Sequence, residues 1–190
     1  MTQDTKERAQ TTLVLLCAAL VLFPTLGMGS IFSSDDAIYA QMAREMVSSG
    51  SWLEPAWLGV PIFDKPPLLF WLLGLFGSIF GFNEFILRLP GALGALVSIY
   101  YVVKLVDHTA ETPESQREPL RRWVALGLTL ASVTFVMNVR RPMADPLLIA
   151  ALLAHLTYGL QAADDEPGAA TKSGIALGIG LLAKWVAVGP

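Results

Sequence analysis

The sequence has 190 residues, of which 54% are hydrophobic and 15% are charged, and its mean hydropathy is +0.54. Soluble domains carry about 25% charged residues, so this composition excludes an ordinary soluble protein and indicates an integral membrane protein. The net charge of −3 gives no basic footprint for nucleic acid, and we expect no nucleic-acid partner.

Several uncharged stretches approach the roughly 20 residues that a helix needs to cross a bilayer. We therefore predict an all-α membrane protein with spans over about residues 13–32, 84–106, 123–139, 146–162 and 174–190. A short polar segment precedes the first span, which favours a signal anchor; a cleaved signal peptide has a similar pattern and is the alternative. Cys17, the single cysteine, lies in this span and forms no intramolecular disulfide.

The first span is followed by a pattern typical of a helix with one apolar face. The apolar positions recur at helical spacing and are Ile38, Tyr39, Met42, Ala43, Met46 and Val47. Asp35 and Asp36 stand at the N-terminus, where acids suit the helix dipole, and Gly50 favours the end. We predict an amphipathic helix over residues 36–48 on the membrane surface. One acid is enough to cap a helix, so the second acid indicates a further role.

The next apolar segment, residues 66–82, opens with two prolines and contains three glycines. We expect it to lie in the membrane interface or to enter the bilayer only part of the way. Residues 33–82 then form one external loop with surface helices. Lysines and arginines around residues 104–122 favour the cytoplasm for the opposite face of the membrane.

Charged residues gather at the membrane edge. Asp64 and Lys65 directly precede an apolar segment, and Arg141 and Asp145 lie in a short turn between two spans. Lys184 lies inside the last apolar segment, where a lysine costs roughly 2.5–3.5 kcal/mol and needs a polar cavity, a carboxylate or an anion. Snorkelling and topology signalling are the ordinary explanations for such charges.

These charges, taken together, indicate group transfer from a lipid phosphate. A carboxylate is a suitable general base for a hydroxyl nucleophile, and cations stabilise a phosphate leaving group. The candidate catalytic carboxylates are Asp35, Asp36 and Asp145. The candidate cations for the donor phosphate are Lys65, Arg141 and Lys184.

The stretch DDAIYAQMAREMVSSGSWLEPAWLGVPIFDKPPLLFWLLG, residues 35–74, resembles the first external loop of GT-C-fold glycosyltransferases that use polyprenyl-phosphate donors. It is most similar to the aminoarabinose (lipid A) transferases and to protein mannosyltransferase-like enzymes. The resemblance continues through FNEFILRLPGAL, RRPMADPLL and LLAKWVAVGP. It implies a GT-C multi-span helical bundle with amphipathic juxtamembrane helices, of which residues 1–190 form the N-terminal part.

The resemblance also implies roles for individual residues. Asp35 matches the catalytic base, and Asp36 is the second member of the acidic pair. Lys65 matches a lysine that contacts the carrier phosphate. Tyr39 matches the tyrosine that follows the acidic pair and is a further candidate for binding the donor phosphate. Asp64 stands where relatives commonly have a glutamate that binds a divalent cation, so a metal cofactor is implied there. In addition, Asp145 matches an acid after the third span, and Ile38 replaces an arginine that the aminoarabinose transferases tend to carry.

The implied function is that of a membrane glycosyltransferase in the bacterial inner membrane. It would transfer a sugar from a polyprenyl-phosphate donor to a lipid or protein acceptor at the periplasmic or external face, as in lipid A modification of the cell envelope. One alternative is a polytopic transporter or lipid flippase, whose charges would line a path through the membrane. Another alternative is a non-catalytic membrane assembly subunit.

Overall fold

The computed structural model describes residues 3–30, 34–110 and 119–185, which form helices joined by turns and by one small hairpin. The helices are α1 (Gln3–Leu22), α2 (Ser34–Ser49), α3 (Leu68–Phe80), α4 (Glu84–His108), α5 (Pro119–Ala131), α6 (Val133–Val139), α7 (Asp145–Ala163) and α8 (Ala169–Ala183). The hairpin pairs strand β1 (Ala56–Trp57) antiparallel with strand β2 (Val60–Pro61).

Helix α4 is the centre of the bundle. It has 25 residues, and at 1.5 Å per residue it is about 37 Å long, which exceeds the ~30 Å of a bilayer's hydrocarbon core. It contacts α1, α3, α5, α6 and α7. The largest buried cluster joins α4 to α1, α5 and α6, and its members are Val14, Ala18, Leu22, Leu26, Ala92, Ala95, Ile99, Val103, Leu126 and Val139.

Two of the described helices, α4 and α7, are long and apolar enough to cross a membrane. Helices α5 and α6 make a third span if the pair, which is bent by 73°, is counted as one. Helix α3 has 13 residues and is therefore about 20 Å long, too short to cross the hydrocarbon core. The predicted all-α membrane architecture is confirmed, and α3 has the length expected of a segment that enters only partway.

The outer helices have bounds that differ from the predicted spans. Helix α1 ends at Leu22, ten residues before the predicted end, because Pro24 disfavours helical backbone at the residue before it. Helix α8 begins at Ala169 and ends at Ala183, and the chain leaves it in extended conformation at Lys184. The membrane limits of the spans stay a prediction, and residues 186–190 lie outside the described part.

The predicted amphipathic helix is present as α2, and α3 covers its apolar face. Ala40 and Ala43 of α2 share one buried cluster with Leu69, Leu73 and Leu87. A second cluster is formed by Met42, Met46 and Phe70. The apolar stripe thus packs inside the protein, and a location of α2 on the membrane surface stays a prediction.

A close crossing of α4 and α7 fixes the start of α7. A Cβ atom added at Gly94 would lie 3.0 Å from the carbonyl carbon and oxygen of Pro146 and 3.1 Å from the nitrogen of Leu147. These are backbone atoms, which cannot rotate away as a flexible side chain would. Glycine at this position therefore sets the distance between α4 and the charged turn that ends at Asp145.

Replacing Gly94 by alanine is expected to lower the stability of the full-length protein by about 1–3 kcal/mol, because the added methyl group overpacks the crossing. Thermal unfolding in detergent measures this loss. Gly127 on α5 is the control, because a Cβ there meets no atom within 4 Å, and alanine should stabilise a helix interior by roughly 0.5–1 kcal/mol. Similar melting temperatures for the two variants would contradict the tight crossing.

Candidate active site

The two adjacent acids at the start of α2 lie in different environments. Asp36 is buried, whereas Asp35 is exposed and makes no hydrogen bond within the described residues. Successive residues on a helix point about 100° apart, so one carboxylate faces the core and the next faces water. The predicted acidic pair is therefore one buried and one solvent-accessible carboxylate.

The buried acid forms an ion pair with Arg141. The Nη2 atom of Arg141 lies 3.0 Å from Oδ1 of Asp36, and its Nε donates to both carboxylate oxygens at 3.1 and 3.2 Å. The hydrogen bond to Asp36 raises the pKa of Arg141, and the charges of Asp36, Asp35 and Asp145 add to this rise against the effect of burial. The pair joins α2 to the turn between α6 and α7.

A cavity of about 120 Å³ lies beside this pair. It brings together five of the predicted site residues, which are Tyr39, Asp64, Lys65, Asp145 and Lys184. The Nζ atom of Lys184 lies 2.7 Å from Oδ1 of Asp145, and Nζ of Lys65 lies 3.5 Å from Oδ2 of Asp64. The carboxylate partner that the sequence requires for Lys184 is Asp145. Both lysine side chains keep substantial exposure, at 42% for Lys65 and 38% for Lys184.

The other predicted residues adjoin the cavity without lining it. Arg141 lies two residues before Met143, which lines the cavity, and Asp36 is close to the cavity because it is paired with Arg141. Asp35 lies one helical turn before Tyr39 on the same side of α2, and such pairs have Cβ atoms about 5–6 Å apart. Chain segments far apart in sequence thus place all eight predicted residues at one end of the bundle.

The carboxylates at the cavity do not form a metal site. Within the described residues, no group of three or more His, Cys, Asp or Glu side chains is placed to hold a metal ion. Asp64 lies beside a lysine ammonium, and Asp145 is bonded to another. A divalent cation prefers several oxygen ligands and is repelled by such neighbours. The described residues alone do not make up a divalent-cation site, and Asp64 as a metal ligand stays a prediction.

Glu45, which the sequence assigned only to a polar face, holds the hairpin against α2. Its carboxylate accepts hydrogen bonds from the backbone N–H groups of Leu58 and Gly59 at 3.1 and 3.2 Å and from Gln41 at 2.9 Å. Leu58 and Gly59 have positive φ values of 52° and 77°, which a leucine rarely adopts. The hydrogen bond from Gln41 and those from the turn lower the pKa of Glu45.

Arg88, on α4, is a second residue whose position sequence reasoning missed. It is buried, and it donates hydrogen bonds to backbone carbonyls between residues 26 and 30. The sequence carried a sign of this, because Arg88 is a charged residue inside a predicted span. Like Lys184, Arg88 lies inside an apolar segment, where a charged side chain needs polar partners.

Comparison with known proteins places the chain in a family. The family model described as dolichyl-phosphate-mannose-protein mannosyltransferase matches residues 64–188. The chain belongs to this family. The matched region contains Lys65, Arg141, Asp145 and Lys184, so most of the cavity described above lies within the family's common segment.

Two curated relatives of this member of the mannosyltransferase family share a name. Undecaprenyl phosphate-alpha-4-amino-4-deoxy-L-arabinose arabinosyl transferase of Shewanella sediminis is 32% identical over 146 residues, which are 76% of this chain and 25% of the relative. The protein of the same name from Yersinia enterocolitica is 27% identical over 176 residues, which are 90% of this chain and 31% of the relative. The chain thus spans less than a third of the length of these relatives.

A solved structure has the same fold as this member of the mannosyltransferase family. ArnT from Cupriavidus metallidurans bound to undecaprenyl phosphate superposes with a TM-score of 0.72 at 25% identity, over 93% of this chain and 32% of ArnT. The predicted GT-C membrane fold and the predicted family resemblance are both confirmed.

Asp36→Asn is expected to destabilise the full-length protein by about 1–3 kcal/mol, because it leaves the Arg141 charge without its carboxylate partner. Asparagine at residue 35 should change stability by less than about 0.5 kcal/mol, because that side chain is exposed and makes no hydrogen bond to the described residues. Thermal unfolding in detergent compares the two variants. Equal losses would contradict the separation of the two acids.

Acid is expected to release the hairpin from α2. The pKa of Glu45 is lowered in the folded protein. The stabilisation that its carboxylate gives to the hairpin is therefore complete above pH 4.5, the ordinary pKa, and is lost as the pH falls through the lowered pKa of the folded protein. Hydrogen exchange of the Leu58 and Gly59 amides, corrected for intrinsic rates, should show protection that decreases below pH 4.5. Glu45→Gln should abolish this pH dependence, and a persistent dependence in that variant would assign the titration to another group.

Proposed function

We propose that the protein takes part in transferring a sugar from a polyprenyl-phosphate donor to a hydroxyl group of a lipid or protein acceptor. The observation that carries this proposal is the pairing of a two-lysine cavity with a free carboxylate, Asp35, one helical turn from the cavity wall. Family membership supports the same chemistry, and the names of the relatives support a glycosyltransferase.

The phosphate of the donor is proposed to bind at the cavity. Lys65 and Lys184 present two ammonium groups there, and both are partly open to solvent. Their charge stabilises the negative charge that develops on a departing phosphate. Arg141 adds positive charge nearby while its guanidinium holds Asp36. The volume of about 120 Å³ is small beside the roughly 300–1,000 Å³ of sites for drug-sized ligands, and it suits a phosphate group.

An apolar groove next to the cavity suits the polyprenyl chain. The groove has a volume of about 520 Å³ and is lined by side chains of α3, α4, α7 and α8. Its lining includes Leu68 and Leu147, which lie three and two residues after Lys65 and Asp145 of the charged cavity. Charged and apolar subsites therefore adjoin at the starts of α3 and α7, as an amphipathic lipid phosphate requires. Undecaprenyl phosphate, the ligand of the Cupriavidus metallidurans ArnT structure, has this chemistry.

The chemical step is assigned to Asp35. Its carboxylate accepts the proton of the acceptor hydroxyl while that oxygen forms a bond to the anomeric carbon of the sugar. The bond between the anomeric carbon and the phosphate oxygen breaks, and polyprenyl phosphate leaves with the electron pair. Asp36 holds the turn that carries Asp145, and Asp145 orients Lys184. Asp35 is exposed and available to take the proton, because its neighbour Asp36 makes the structural ion pair with Arg141.

We place this reaction at the periplasmic face of the inner membrane and favour a cell-envelope lipid, such as lipid A, as acceptor. The names of the relatives support an aminoarabinose donor. Ile38, which replaces an arginine of the aminoarabinose transferases that the loop resembles, leaves room for a different sugar. A transporter is less well supported, because Lys65, Asp64 and the Lys184–Asp145 pair lie together at one end of the bundle rather than along a path.

Sugar transfer by the full-length protein tests the proposal, with a radiolabelled polyprenyl-phosphate sugar and purified envelope lipid. Asp35→Asn should lower turnover by about 10²–10⁴-fold, because the general base is lost. Lys65→Ala should lower turnover by about 10²–10³-fold through the loss of charge at the phosphate.

Two exposed residues away from the site provide matched controls. Asp165, next to the C-terminal end of α7, and Lys6, on α1, should tolerate substitution by asparagine and alanine respectively with turnover unchanged. Full transfer activity in both Asp35→Asn and Lys65→Ala would reject the proposed function. A donor preference measured in the same assay identifies the sugar.

A further inference from the structure

We propose that Arg88 is a positioning residue for the acidic pair, acting through the segment that precedes α2. This inference rests on the proposed function, because it concerns the placement of Asp35. Arg88 lies on α4, and its side chain reaches back to residues 26–30, about 60 positions earlier in the chain.

The guanidinium group of Arg88 makes four hydrogen bonds to consecutive parts of one segment. Nη1 donates to the carbonyl oxygens of Leu26 and Met28 at 2.5 and 2.9 Å. Nη2 donates to those of Gly29 and Ser30 at 3.0 and 3.1 Å. Arg88 itself is only 6% exposed. A planar group with two forked donor nitrogens is the side chain that can bind four carbonyls at once.

Leu26 is anchored in the buried core, but within the described residues little else fixes the rest of this segment. Residues 27–30 are exposed and lie outside any helix or strand, and the backbone hydrogen bonds nearby, from Leu26 to Phe23 and from Met28 to Thr25, end at Met28. Among the described residues, the carbonyls of Gly29 and Ser30 accept hydrogen bonds from Arg88 alone. Without it, water can solvate these exposed carbonyls, so loss of Arg88 should free the segment locally rather than unfold the protein.

The charge of Arg88 is held without a carboxylate. Within the described residues it makes no ion pair, and the dipoles of four carbonyls replace one. Arginine tolerates this because it stays protonated at any physiological pH. A buried charge without an acid is expensive unless it is hydrogen-bonded, and here Nη1 and Nη2 are bonded while the buried Nε has no partner among the described residues. Keeping an arginine at this cost indicates a role beyond packing.

That purpose follows from where the segment leads. Asp35 is five residues after Ser30, in the first turn of α2. Helix α4 also contacts α2, through Leu87 in the cluster with Ala40 and Ala43, and it sets the start of α7 at Gly94. Arg88 therefore ties the entry of α2 to the same helix that locates Asp145. Displacing a catalytic group by about 1 Å can cost on the order of 100-fold in rate.

The test compares Arg88→Met and Arg88→Lys with the unaltered full-length protein. Methionine keeps an apolar stem and removes every donor, so kcat should fall on the order of 100-fold. The KM for the polyprenyl-phosphate donor should stay near that of the unaltered protein, because Lys65 and Lys184 are untouched. Lysine keeps the charge but has a single donor nitrogen, so its kcat should lie between the two. Hydrogen exchange at residues 26–30 and 35–38 should accelerate in both variants.

Arg122 on α5 provides a matched control. It is also buried, at 4% exposure, and it also ties helices together, by hydrogen bonds to Asp107, Gln10 and the carbonyl of Glu7. Asp107 lies near the C-terminal end of α4, and Glu7 and Gln10 lie on α1, so none of these partners belongs to the site. Arg122→Met should destabilise the protein while kcat per folded molecule stays unchanged.

Each outcome decides the inference. If Arg88→Met keeps the unaltered kcat, or loses no more per folded molecule than Arg122→Met does, Arg88 is structural only. A rise in donor KM without a fall in kcat would likewise overturn positioning of the acids. If the unaltered protein transfers no sugar, the proposed function fails instead. In that case, unchanged hydrogen exchange at residues 26–30 and 35–38 in the Arg88 variants would independently overturn the role of Arg88 in holding this segment.

Discussion

The ion pair between Asp36 and Arg141 is the interaction on which the candidate site depends. A carboxylate can be buried only when a cation and hydrogen bonds compensate its lost hydration, and three close contacts from Arg141 provide this. The pair joins two segments that are 105 residues apart in the chain. With α2 held to the turn before α7, Tyr39 and Asp145 can line the same cavity.

Burial of Asp36 also leaves Asp35 exposed to solvent. On a helix, Asp35 must point about 100° away from Asp36, so the contact that fixes the second acid turns the first toward water. The same division recurs across the cavity, where Asp145 is bonded to Lys184 while Lys65 keeps only a longer contact with Asp64. Fixed pairs hold the helices, and the less restrained groups between them are those available to a substrate.

Local patterns predicted the elements better than the contacts between them. The apolar spacing after Asp36 specified α2, and the prolines and glycines of residues 66–82 specified a segment shorter than a span. Charge type and membrane position predicted Lys65, Asp145 and Lys184 as candidate site residues, and the three line one cavity. The sequence gives no rule for which acid meets which cation across 39 or 105 positions. Arg88 and Glu45 were missed because their partners are backbone groups, which leave no pattern of side chains.

The short length of α3 brings charged and apolar subsites together. Pro66 and Pro67 keep the chain from continuing a helix backward, so α3 begins at Leu68 and Lys65 stays outside it. From Leu68 onward α3 is apolar, and its sides face α2, the groove and α4. Helix α3 is only about 20 Å long and ends at Phe80, so α4 begins near α2, and Arg88 on α4 reaches residues 26–30.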